Sequence, residues 1–175
     1  MSRDGLVIRE IEPGDQRALL LLNNAAVPHV NALVAEQMAW LLEHCDYARL
    51  AERVESPGGI RETVGFVLAI RNGTSYWSAN YQWFAARYGV FLYLDRVVIA
   101  PTARRMGVGR ALYEDLAVFA AARWPRVTLE VNLEPPNPGS HHFHAAMGFT
   151  AVGERRYDGG AVVMMAREVS PPGRD

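Results

Sequence analysis

Lysine is missing from this chain of 175 residues: all 18 of its basic residues are arginine. Schiff-base chemistry and the phosphate loop that ends in Gly-Lys-Ser/Thr are therefore excluded. Cysteine is nearly missing as well. Cys45 stands alone, so no intramolecular disulfide can form, and a reducing interior suits the sequence. Charge of one sign is also lacking. A formal net charge of −1 does not provide the basic surface that broad nucleic-acid binding needs. No apolar run approaches the roughly 18–20 residues that cross a bilayer, and Leu6–Ile11 alternates with charge where a secretory segment would be apolar. These absences point to a cytoplasmic protein with neither a nucleic acid nor a membrane as partner.

What is present is a hydrophobic content of 50% against 21% charged residues, the balance of a folded chain. The length fits one domain over 1–175, with Ser170 to Asp175 as a frayed tail. Leu6–Ile11 reads as a strand closed by Pro13-Gly14-Asp15, where Asp15 can cap a helix carrying Leu19, Leu20 and Leu22. Pro28 interrupts that helix. A second is expected from His29 or Asn31, through Val30, Leu33, Val34, Met38, Leu41 and Leu42. Tyr47–Val54 suits either a strand or that helix's tail, and Ser56-Pro57-Gly58-Gly59 is a break.

Thr63–Ile70 is a strand ended by Asn72-Gly73. Residues 74–90 are aromatic without clean periodicity: Tyr76, Trp77, Tyr81, Trp83, Phe84 and Tyr88. Such a long connection is usually functional. Tyr76, Trp77, Asn80, Tyr81 and Trp83 are its candidate substrate-binding residues, with completion of the core as the alternative. Phe91–Ile99 is a nearly continuous apolar run, which suits a strand covered on both faces. A helix follows from Val108, then a strand at Val127–Val131. Pro138 opens a short helix to about Met147 with Gly148 as its left-handed cap, and Thr150–Tyr157 pairs with Ala161–Glu168.

The stretch Arg104-Arg105-Met106-Gly107-Val108-Gly109 lies between a buried strand and an amphipathic helix. Glycines admit a ligand close to the backbone, while the helix N-terminus and Arg104, Arg105 and Arg110 add positive charge. This describes a phosphate or pyrophosphate site. A dinucleotide fingerprint does not fit, because Leu112 stands at its third glycine and the strand ends too early.

Arg104-x-x-Gly107-x-Gly109 after Phe91–Ile99 resembles the acetyl-coenzyme A loop of the GNAT N-acetyltransferase superfamily. Asn137, Ser140, Phe143, His144 and the pair Gly148-Phe149 resemble its second signature. The resemblance covers most of the chain and is poorest over 72–90. It implies a mixed α/β fold ordered β-α-α-β-β-β-α-β-α-β-β, with a central, mostly antiparallel sheet, helices on both faces, and its fourth and fifth strands splayed. It also implies acetyl-CoA as co-substrate. Val97, Val98 and Ile99 would bind the pantetheine arm, and the amides of Arg105, Met106, Gly107, Val108, Gly109 and Arg110 the pyrophosphate. Asn137 and Ser140 match positions near the cofactor.

The reaction so implied moves an acetyl group to a primary amine, of a small molecule or a peptide, by direct attack and without a metal. Asp95, a carboxylate in an apolar strand, is the first candidate base and an ion pair with an arginine its alternative; Glu130 is the second. His144 stands where the family most often has tyrosine, and is the candidate acid for the departing thiolate, with water as the alternative. His141, His142 and His144 invite a zinc reading, yet no cysteine or acidic residue completes a recognised spacing. A catalytically silent domain that binds coenzyme A is the competing function. A homodimer stays open.

Overall fold

A computed structural model describes residues 5–54 and 59–169. The Ser56-Pro57-Gly58 part of the expected break and the tail from Ser170 lie outside the described residues. Seven strands are present: β1 (Leu6–Glu10), β2 (Tyr47–Val54), β3 (Arg61–Arg71), β4 (Leu92–Ile99), β5 (Arg126–Glu134), β6 (Thr150–Tyr157) and β7 (Gly160–Glu168). The helices are α1 (Gln16–Ala25), α2 (Ala35–His44), α3 (Ala79–Ala85), α4 (Val108–Ala121) and α5 (Pro138–Ala146). The strand order is β1-β2-β3-β4-β5-β7-β6, mostly antiparallel, with β4 and β5 parallel. This is the expected mixed α/β order with one addition, helix α3 inside the aromatic segment. The chain divides into two compact units, Met1–Ala69 with Asp95–Leu116, and Ile70–Leu94 with Ala117–Asp175.

In the first unit, Leu19, Met38, Leu41, Leu50, Phe66 and Leu68 are fully buried. The run Val64–Ile70 is buried throughout, so β3 is covered on both faces. Gly65 is required there by close approach. A Cβ at this position would stand 2.9 Å from the Val98 carbonyl oxygen and 2.7 Å from Ile99 Cδ1.

Two expectations for this unit are corrected. Asp15 precedes α1 but makes no side-chain cap bond. Its carboxylate instead accepts from Arg9 Nη1 and Nη2 at 2.7 and 2.9 Å, and from the Glu12 amide at 2.7 Å. Helix α2 starts at Ala35, not near His29 or Asn31. The Asn24 side chain bonds both the N–H and the carbonyl of Leu33 at 2.9 Å, and Asn23 Nδ2 donates to the Asn31 carbonyl at 3.0 Å. These amides occupy backbone groups that an earlier helix would need.

Arg9 also donates to Glu52 Oε1 at 2.8 Å, and Arg61 donates to Oε2 at 3.1 Å. The guanidinium of Arg9 holds the carboxyls of both Asp15 and Glu52 below their ordinary range. Depressed carboxylates stabilise the fold above their unfolded pKa values near 4, and that stability is lost as pH falls through the lower folded values. Glu52→Gln should therefore cost about 2 kcal/mol at pH 7, the scale of hydrogen bonds to charged groups. Chemical denaturation at pH 7 and pH 3 checks this, since the difference between the two proteins should shrink at the lower pH.

In the second unit, β7 is buried from Gly160 to Ala166 and pairs with both β5 and β6. The aromatic segment folds back as α3, with Ser78 as N-cap accepting from the Tyr81 amide at 3.3 Å. Tyr76, Tyr81, Phe84, Phe91 and Tyr93 are buried and pack ring against ring.

Candidate active site

The glycine loop belongs to the first unit. After β4, a short 3-10 turn over Pro101–Ala103 leads into four turn residues, Arg104 to Gly107, and then into α4. Arg105 and Gly107 both take positive φ, 62° and 85°. Gly107 is thus held in the backbone region that L side chains rarely adopt. Nothing lies within 4 Å of the place its Cβ would occupy, so the turn opens onto free space. The first bond back along α4 runs from the Ala111 amide to the Gly107 carbonyl at 3.0 Å. The amides of Val108, Gly109 and Arg110 precede it, as donors without an intrahelical partner. Arg104, Arg105, Met106 and Arg110 are exposed around them, whereas the Val108 side chain is buried and can offer only its amide. The turn fits a phosphate group.

Asp95, Val97 and Ile99 are half-buried and alternate with buried Arg96 and Val98, so the three share a face of β4 as expected. The Asp95 carboxylate accepts from Arg96 Nε at 3.0 Å, and both side chains are under one-tenth exposed. Arg96 Nη1 also donates to the Asn31 carbonyl at 3.0 Å. The ion pair weighed as the alternative for Asp95 is present.

The second unit gathers a different carboxylate. Glu130 of β5 accepts from Tyr93 Oη at 2.8 Å on one oxygen and from Asn80 Nδ2 at 2.8 Å on the other. Arg155 Nε in turn donates to Asn80 Oδ1 at 2.7 Å. The parallel pairing of Tyr93 with Thr128 puts Glu130, two residues on, on the same face as Thr128. Of the five acceptor candidates, Asn80 bonds Glu130 directly, while Tyr76 and Tyr81 pack on the Tyr93 ring. Tyr81 donates to the Arg71 carbonyl and accepts from the Thr74 amide, both at 2.9 Å, and Tyr76 is buried beside it. Trp83 lies over Gly153 and under the Arg87 guanidinium, 3.7 Å from its ring centre. These three make packing contacts, the alternative held open for this segment. Trp77 is half exposed. Tyr93 and Arg155 were not singled out in the sequence; the two-residue period marks Tyr93, but nothing local marks Arg155.

Asn137, Ser140 and His144 are tied together along α5. Asn137 caps the helix, its Oδ1 accepting from the Ser140 amide at 3.2 Å. His144 is buried, with Nδ1 2.8 Å from the Ser140 carbonyl and 3.2 Å from its Oγ. A carbonyl only accepts, so Nδ1 carries the proton and Nε2 of the neutral ring is an acceptor. Burial pushes the imidazole pKa down to about 4. At neutral pH the ring is therefore uncharged, with its one N–H turned to the Ser140 carbonyl. The fold holds His144 neutral, so its contribution is full above the unfolded value near 6.5 and is lost as pH falls toward 4. His144→Phe should accordingly lose less melting temperature between pH 7 and pH 5 than the wild type does. Among the described residues no three His, Cys, Asp or Glu side chains come close enough to hold a metal, and no helix is long and apolar enough to cross a membrane.

The family model described as the acetyltransferase (GNAT) family matches residues 31–149, more than half of the chain and the whole stretch holding the glycine loop and α5. The chain belongs to the GNAT family. Solved GNAT structures share its fold. The ribosomal-protein-S18-alanine N-acetyltransferase from Escherichia coli is 19% identical, with TM-score 0.70 and 97% of each chain covered. NAA60 of Arabidopsis thaliana, in complex with a bisubstrate analogue, is 18% identical, with TM-score 0.73 over 95% of this chain and 99% of that one. A GNAT acetyltransferase from Streptococcus pneumoniae is 21% identical, with TM-score 0.68 over 94% and 99%. No curated protein matches the sequence.

Proposed function

We propose that this GNAT protein is an N-acetyltransferase that moves the acetyl group of acetyl-CoA to a primary amine by direct attack. The observation that carries the reading is the turn at Arg105–Gly107, whose positive φ values and open space, with the first α4 amides lacking intrahelical partners, suit a pyrophosphate. Glu130 is the base, in preference to Asp95, which Arg96 already engages. The amine nitrogen attacks the thioester carbonyl carbon, and Glu130 takes the amine proton, directly or through one water. The tetrahedral intermediate then expels the thiolate, which water protonates. Acetylated amine and free coenzyme A are the products.

The acceptor is an amine of a small molecule or the free N-terminus of a peptide. The similar protein from Escherichia coli is named for an alanine of a ribosomal protein, which supports including peptides. Thiol release from acetyl-CoA, measured across amino acids, polyamines, aminoglycosides and short peptides, tests the proposal. A second reading, a silent coenzyme A-binding domain, draws on the Asp95–Arg96 pair and the neutral His144, which disengage two of the three expected catalytic side chains. It predicts binding without thiol release for any amine.

A further inference from the structure

Behind Glu130 stand an amide and a guanidinium that the acetyl transfer itself does not use. We propose that Asn80 and Arg155 are positioning residues for Glu130: Arg155 sets which way round the Asn80 amide stands, and the amide directs the carboxylate. The inference rests on the reading of Glu130 as the base.

An asparagine amide can turn either its NH2 or its oxygen toward a neighbour. Arginine Nε can only donate, and at 2.7 Å it takes Asn80 Oδ1. Nδ2 is thereby turned to Glu130 Oε1 at 2.8 Å. The reversed amide would set its oxygen against the carboxylate and its NH2 against the guanidinium, and both contacts would be repulsive. The three side chains come from α3, β5 and β6, so the fold has assembled the row from distant parts of the second unit. Arg155 is held from another side by Tyr157, whose ring centre lies 4.9 Å from its Cζ. Donors from Asn80 and Tyr93, one to each Glu130 oxygen, fix the carboxylate plane.

Tyr93 from β4, Asn80 from α3 and, through it, the charge of Arg155 from β6 face Glu130 within the unit. Met164 is its pair on β7, and Glu134 on its own strand is bound to Arg156.

The test compares Asn80→Asp, Arg155→Met and Arg155→Lys with the wild type in kcat, acetyl-CoA KM and the pH profile of kcat/KM for the acceptor. Asn80→Asp and Arg155→Met should lower kcat at pH 7 by about tenfold or more, with acetyl-CoA KM unchanged. The acid limb should move up by about half a pH unit for Arg155→Met and further for Asn80→Asp, which sets a second carboxylate against the first. Arg155→Lys keeps the charge and should return the limb to its wild-type position. Lower melting temperatures with an unmoved limb and unchanged kcat would overturn the proposal and leave the row a structural one. Glu130→Gln separates the two levels. A wild-type rate in that variant overturns the base reading and the inference with it, whereas a slow Glu130→Gln beside a wild-type Arg155→Met overturns the inference alone.

Discussion

Glu130→Gln is expected to lower kcat about 100- to 10,000-fold, the range that a positioned general base supplies. The substitution keeps the shape of the side chain and one acceptor for Tyr93 or Asn80, but it removes the group that takes the amine proton. Acetyl-CoA affinity should stay within a factor of about two, because the glycine loop is untouched. The loss should also narrow as pH rises toward the pKa of the acceptor amine, where more of the amine is already free of its proton. Initial rates between pH 6 and pH 10 check this. Asp95→Ala is the comparison. If Asp95 were the base, its removal would give the pH-dependent loss and Glu130→Gln would not.

Gly107→Val should weaken acetyl-CoA binding by at least about tenfold, equal to about 1.4 kcal/mol. Two effects act together. The φ of 85° is strained for a β-branched residue, so the turn shifts to relieve it. Any turn that keeps the original φ instead places a side chain in the open space beside the α4 amides. Gly107→Asn distinguishes the two, since asparagine tolerates positive φ better but still fills the space. Isothermal titration should show weaker binding in both variants, with the larger fall in melting temperature for valine. Unchanged affinity in both would move the pyrophosphate away from this turn.

The strands and the glycine loop were legible because their signals are local. The apolar run of Thr63–Ile70 and the switch from strand period to helix period between Ile99 and Val108 each lie within a dozen or so residues. Helix α3 was not legible. It is seven residues long, and its aromatics divide between the core, where Tyr81 and Phe84 lie, and the packing of Trp83 on Gly153, so no apolar stripe forms. The start of α2 was misread because the amides that hold residues 31–33 out of a helix come from Asn23 and Asn24 on the preceding helix.

In the candidate site, the same distinction holds. The backbone features of the glycine loop follow from glycine positions and a helix start. The surroundings of Glu130 depend on side chains 37 and 50 positions away, and the step from Asn80 to Arg155 spans 75. His144 illustrates the limit from the other direction. Its position was correct for a residue near the end of α5, but its protonation is decided by burial and by the Ser140 carbonyl, neither of which a motif specifies.

Direct acetyl transfer is tested most plainly by following acetyl-CoA with a labelled acetyl group, measuring released thiol and the masses of both acceptor and protein. The account predicts one acetylated amine for each thiol released, with the mass of the protein unchanged throughout. Acetyl-CoA that binds yet transfers its acetyl group to no amine or peptide tested, or that leaves the label on the protein as an intermediate, would contradict it.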